Sequence, residues 1–283
     1  MTKKQKQKVL NRILLHSFFI SFILLTLIPI LYALTISLSG SNALLSSDFT
    51  FIPQDITLAN YQSLFNDEPL ILWLGNTVIL AISTLTLALS LAIPTAYVLS
   101  RLRFHGRFSI FRGLILLNAF PAILSMFAIY RLFSTGPISL INTRLGLTLV
   151  YAGTMVIFAI LNLKGYFDTI PHEIEDAARI DGGNEWQVIT RIVLPLAKPA
   201  MVVTSVLILI FVWNEYIFAV TFMTGAENYT LAAGLFSLQA GEISGSWPIF
   251  AAAALLTSLP ILIVFLFIQK YMISGLTVGG VKG

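Results

Sequence analysis

The sequence predicts an all-α membrane protein of six transmembrane helices, with a polar helical excursion between the fourth and fifth. Three observations carry that prediction. Of 283 residues, 57% are hydrophobic and 11% charged, with a mean hydropathy of +0.88; ordinary soluble domains carry about 25% charged residues. Six apolar segments reach the roughly 20 residues that cross some 30 Å of hydrocarbon: Ile13–Leu38, Leu70–Leu99, Gly113–Tyr130, Leu145–Leu163, Ala200–Met223 and Ile249–Ile268. None alternates with period two over strand lengths, so a β-barrel is not expected.

Taken in order, residues 1–12 form a basic N-terminus with Lys3, Lys4, Lys6, Lys8 and Arg12. The apolar run that follows exceeds the roughly 7–15 residues of a signal-peptide core, so it is read as an uncleaved first span. The loop Ser39–Pro69, with Phe51-Ile52-Pro53 and Asn60-Tyr61, predicts a small helix at the membrane surface. The second span is rich in hydroxyls (Thr77, Ser83, Thr84, Thr86, Ser90, Thr95), which suits a helix–helix interface. Pro29, Pro94, Pro121 and Pro260 lie inside spans, where membrane helices tolerate them. The loop Thr224–Pro248 carries Asn228-Tyr229-Thr230 and Trp247, and residues 272–283 form a tail. No internal repeat or low-complexity tract interrupts a transmembrane domain over 13–271.

Charge sets the orientation. Of the 17 basic residues, 15 fall on the side that holds both termini and the polar excursion; Arg131 and Arg144 are the exceptions. Asp48, Asp55, Asp67, Glu68, Glu227 and Glu242 lie on the other side. The positive-inside rule therefore makes both termini and the excursion cytoplasmic. The net charge of +4 then faces anionic membrane lipid, and nucleic acid is not a partner.

The excursion, 168–199, has its own helix grammar. Pro171 suits a first turn, and Glu173, Glu175 and Asp176 place negative charge at the positive end of the helix dipole. Gly182-Gly183 supplies a left-handed stop. Asn184 and Gln187 have the spacing of a capping box for a second short helix, expected to run to about Leu194, where Pro195 and Pro199 break it. Ile174, Ala177 and Ala178 share one face.

Asp176, Ala177, Ala178 and Gly182, followed after nine residues by Ile192, Leu194 and Pro195, resemble the coupling motif of ABC-importer permeases. The family usually has Glu at the place of Asp176, so the carboxylate here sits on a shorter arm. Arg101-Leu102-Arg103-Phe104 with the following Gly-Arg, Asn228-Tyr229-Thr230-Leu231, and the ending Gly275-Leu276-Thr277-Val278-Gly279-Gly280-Val281-Lys282-Gly283 resemble the second permease subunit of maltose-type importers. The resemblance implies a prokaryotic plasma-membrane subunit that imports an oligosaccharide, maltose or maltodextrin, by alternating access. Its implied partners are a different permease subunit, two cytoplasmic ATPase subunits and an extracellular solute-binding protein. It further implies that the motif residues couple to the ATPase, and that the tail Gly279, Gly280, Val281, Lys282 and Gly283 is a candidate ATPase contact.

The residues themselves point to no chemistry of their own. There is no phosphate-binding Gly-x-x-x-x-Gly-Lys loop, and His16, His105 and His172 lack metal-ligand spacing. Neither a cofactor nor a metal is expected, and the chain is not read as an enzyme. Glu215, in Trp213-Asn214-Glu215-Tyr216, is the acidic residue set deep in a span, about 24 Å beyond Pro199 at 1.5 Å per residue. An unpaired carboxylate is costly in lipid, so Glu215 faces either a translocation path, with Asn214, or a structural partner on a neighbouring helix. Asn76 and Asn118 are read as helix–helix contacts. The rival reading, a stand-alone secondary transporter or channel, calls for an intramembrane charge network and a repeat that the sequence does not offer.

Overall fold

The basic N-terminus and the first apolar run join in one helix, α1 (Lys3–Ser37), which carries Pro29 inside it. The computed structural model describes residues 3–40, 53, 55–136, 139–240 and 247–280. Asp48, Phe51, Ile52, Glu242, Val281, Lys282 and Gly283 lie outside them. The chain divides into two compact units, 1–69 with 237–258 and 70–236 with 259–283.

In the first unit α1 exposes large apolar side chains all round, among them Phe18, Ile20, Phe22, Leu24 and Leu25. That is the surface of a helix solvated by hydrocarbon rather than packed in a protein core. Its end is tied to a short helix, α2 (Ala59–Asn66). The Asn60 amide donates to the carbonyls of Ser37 and Ser39 at 2.9 and 2.8 Å, and the Tyr61 hydroxyl meets that of Ser37 at 2.8 Å. An isolated antiparallel bridge between Ser39 and Ile56 completes this corner; the described residues contain no strand.

The second unit is built along α3 (Leu70–Arg101), which buries Ala81, Ala88, Ala92 and Ala96 on one face. These small side chains allow close backbone approach. The third apolar segment is not one continuous helix over Gly113–Tyr130. It is two helices, α4 (Arg107–Ala119) and α5 (Met126–Thr135), with a 3₁₀ turn at Ala122–Ser125 and an 88° bend between the two parts. Pro121 drives the residue before it out of the α region, and Phe120 takes ψ 126°. No residue of α4 is buried, so no packing forces the helix through its proline. In α3, Pro94 sits in a helix whose inner face is buried along its length, and the helix continues.

Next comes α6 (Arg144–Phe167), begun by Thr143, whose hydroxyl accepts from Gly146 N. It packs on α3, and Ser83 and Thr148 share a hydrogen bond of 2.9 Å between them. Ser90 and Thr95 instead donate to carbonyls of their own helix. The polar excursion forms α7 (His172–Ile180) and α8 (Glu185–Val188). A π-helical turn, Ile189–Val193, then leads into α9 (Leu194–Asn214). Pro195 and Pro199 therefore do not end the helix, contrary to expectation. In the widened turn Leu194 N bonds to Ile189 O, five residues back, which shifts the carbonyls that the ring of Pro195 would otherwise meet.

The fifth span is also interrupted: α9 ends at Asn214 and α10 (Ile217–Phe222) follows. The last helices are α11 (Leu231–Ala240) and α12 (Trp247–Gly280). α12 runs beyond Ile268 and takes most of the expected tail into the helix. Among the described residues, five helices are long and apolar enough to cross a membrane, or six if the bent α4–α5 pair counts as one span.

Candidate functional site

The excursion is stiffened at its centre by two local devices. Gly182, at φ +87°, follows the C-cap Asp181. Its N–H donates to Arg179 O at 3.1 Å, while Gly183 N–H donates to Ala178 O at 3.0 Å. This pair of bonds is a Schellman closure of α7. A Cβ on Gly183 would stand 2.9 Å from the Ala178 carbonyl, so the second glycine is required for close approach. The capping box of α8 is reciprocal: Gln187 N donates to Asn184 Oδ1 at 2.9 Å, and Asn184 N donates to Gln187 Oε1 at 3.0 Å.

Across the turn, Arg179 ties the two helices together. It donates to Glu185 at 2.8 and 3.2 Å and to Asp176 at 2.9 Å. The Glu185 carboxylate, more than Asp176, raises the Arg179 pKa still further above its ordinary value. Asp176 and Ala177 are exposed and Ala178 is half-buried, whereas Ile192 and Leu194 are half-buried and Pro195 is exposed. The outer surface is apolar for a polar segment: Ile180 is 86% and Trp186 72% exposed, and Ile174 is exposed as well.

Sequence reasoning missed the inner surface. Glu175, read only as a dipole charge, is the one buried residue of α7. Its Oε1 accepts from Arg101 Nε at 2.5 Å and its Oε2 from the Tyr97 hydroxyl at 3.2 Å. Arg179 lies 3.5 Å from the same Oε2. The Arg101 and Glu175 side chains are only 3% and 1% exposed. Arg101 Nη2 also donates to Ile170 O at 3.0 Å. Beside it, Ser100 donates to Asp168 Oδ1 at 2.7 Å, Asp168 pairs with Lys164, and Lys164 stands 4.5 Å over the ring of Phe111. The usable signal was the helical spacing: Glu175 lies three residues before Ala178, on the inward side of α7.

At the break in the fifth span, Glu215 is engaged by protein. Its Oε1 accepts from Phe218 N at 2.9 Å, and its Oε2 accepts from Ala219 N at 3.3 Å and from the Tyr151 hydroxyl at 2.7 Å. The carboxylate thus caps α10 and bridges to α6. Asn214 is exposed and donates to Ile210 O at 2.8 Å. Asn76 is not a helix–helix contact: its amide donates to the carbonyls of Glu227 and Tyr229, both at 2.9 Å. Asn118 lines a cavity of about 700 Å³ between the α4–α5 bend and α6, with Ser125 and Thr154 among mostly apolar neighbours. Gly279 and Gly280 are the last residues of α12.

Comparison with known proteins then decides the family. Residues 88–278 match the family described as binding-protein-dependent transport system inner membrane component. The chain belongs to this family. As a binding-protein-dependent permease it is 34% identical over 279 residues to the inner membrane ABC transporter permease protein YcjP of Escherichia coli K12, across 98% of this chain and 99% of that one. It is 35% identical over 298 residues to the maltose/maltodextrin transport system permease protein MalG of Photorhabdus laumondii, across 99% and 98%. A chain from a bacterial ABC transporter involved in the import of the acidic polysaccharide alginate superposes with a TM-score of 0.73 at 25% identity, over 96% of this permease and 98% of that chain. This permease is thus a multi-pass transport subunit of an ABC importer.

Proposed function

We propose that this permease is one of two different membrane subunits of an ATP-driven oligosaccharide importer, with maltodextrin as its substrate. Two cytoplasmic ATPase subunits would supply the energy and an extracellular binding protein the sugar. The observation that carries the reading is the rigid pair α7–α8, which holds Ile174, Ile180 and Trp186 exposed on a segment otherwise polar. Exposed apolar side chains on a stiffened element fit a protein cleft. On this reading Asp176, Ala177, Ala178 and Gly182 meet the ATPase, and Ile192, Leu194 and Pro195 join the docked element to the fifth span. The distribution of basic residues supports a cytoplasmic α7–α8 pair and cytoplasmic termini, with a contact from Gly279 to Gly283 on the same side.

At the far end, Glu215 is assigned to hold the break in the fifth span. Asn214 and Tyr216, exposed on either side of it, are the side chains offered to the translocation path. Full-length similarity to maltose/maltodextrin permeases supports the substrate. The test is to purify the assembly on a tagged copy of this chain, identify its subunits and titrate the binding protein with linear glucose oligomers and with alginate oligomers. Recovery of two ATPase subunits per permease pair with preference for the glucose oligomers is expected. Preference for the acidic oligomers would replace maltodextrin, and recovery of this chain alone would remove the importer reading.

A further inference from the structure

α7 has only a slight apolar anchor, the half-buried Ala178. Of its nine residues only Glu175 is fully buried, so the position of the helix against the spans rests largely on what that carboxylate meets. It meets the last residue of α3. Arg101 holds α7 at two places, through Nε to Glu175 at 2.5 Å and through Nη2 to Ile170 O at 3.0 Å, immediately before the N-cap Pro171. Tyr97, one turn earlier on α3, holds the second carboxylate oxygen. A planar guanidinium engaged at two points fixes direction as well as distance, whereas an apolar contact allows sliding. The surrounding groups extend the same grip: Ser100 binds Asp168, Asp168 pairs with Lys164, and Lys164 lies over Phe111. α3, α4 and α6 are therefore joined where α7 begins.

We infer that the Arg101–Glu175 pair is a positioning element that makes α7 and α3 move as one body, so that displacement of the docked α7–α8 pair reaches the second span. The inference rests on the importer reading above. It assigns Arg101 and Glu175 no contact with sugar or ATP. Their effect is on the ratio of transport to hydrolysis.

The test uses the complete importer reconstituted in proteoliposomes with its binding protein. ATP hydrolysed per sugar imported is measured for the wild type, Arg101→Lys and the double variant Arg101→Met/Glu175→Leu. The double variant removes both charges, leaves neither unpaired in the interior and is expected to assemble. Its ATPase subunits should remain bound at wild-type stoichiometry while ATP consumed per sugar rises roughly tenfold, within the ordinary range of coupling between sites. Lysine keeps the charge but not the two-point fork, so Arg101→Lys should give a smaller rise in the same direction. A wild-type ratio in both variants overturns the inference, since a merely structural pair would change yield and not stoichiometry of transport. A wild-type complex that fails to couple hydrolysis to uptake would instead defeat the importer reading, so the two failures are distinguishable.

Discussion

At the start of α3, Trp73, Asn76 and Thr77 grip the backbone of residues 226–231; at its end, Tyr97, Ser100 and Arg101 grip chiefly side chains, Glu175 of α7 and Asp168 before it, with one further bond to the Ile170 carbonyl. The first grip is neutral. Trp73 Nε1 donates to Ala226 O at 2.7 Å, the Asn76 amide donates to two carbonyls, and Thr77 Oγ1 accepts from Leu231 N at 2.8 Å. The second is charged, with a buried ion pair at its centre. Clamps on backbone groups fix the path of a loop whatever its side chains are. Clamps between side chains bind two particular residues, and losing either leaves the other exposed to the full desolvation penalty. One end of the helix thus holds a loop in place, while the other transmits position between elements.

This contrast orders the expected effects of substitution. Arg101→Ala should be the most damaging, costing about 3–5 kcal/mol because Glu175 is left buried and unpaired; denaturant unfolding of the purified chain in detergent measures it. A loss below that of an ordinary surface pair would erase the distinction between the two ends. At the neutral end, Gly234→Ala places a methyl 2.2 Å from the Trp73 ring. Such overpacking typically costs about 1–3 kcal/mol and should move Trp73 off the Ala226 carbonyl, read as a shift in tryptophan emission. Unchanged emission would show that the indole is not clamped.

A smaller effect is expected at the turn of the short-helix pair. Gly182→Val forces a β-branched residue into the left-handed region, at about 1–2 kcal/mol. No neighbour stands within 4 Å of its Cβ, so conformation and not crowding is the cause. Asn, which tolerates this region, should recover most of the binding-protein-stimulated ATPase rate that Val loses. Equal loss in Val and Asn variants would move the fault from backbone strain to the docking surface.

The short-helix pair was legible in the sequence because its signals are local. Gly182-Gly183 and Asn184 with Gln187 act within one turn, and the structure forms the bonds their spacing predicts. Features decided by distant packing were not legible. Pro94 and Pro121 look alike in sequence, but only Pro121 breaks its helix, since α4 buries nothing that would hold it straight. Glu175 reads as a solvated charge on a short amphipathic helix until Arg101, 74 residues earlier, closes over it. Glu215 was recognised as a carboxylate in need of a partner, but Tyr151 lies 64 residues away. The π turn before Pro195 escaped notice because proline read alone signals a stop.

If the α7–α8 pair is the surface proposed to meet the ATPase, Trp186, 72% exposed on it, lies at the contact. Trp186→Cys in the assembled importer should form a short bifunctional crosslink to an ATPase subunit and remain unlabelled when intact cells are treated with a membrane-impermeant maleimide. Labelling from outside, with no crosslink to the ATPase, would contradict the account.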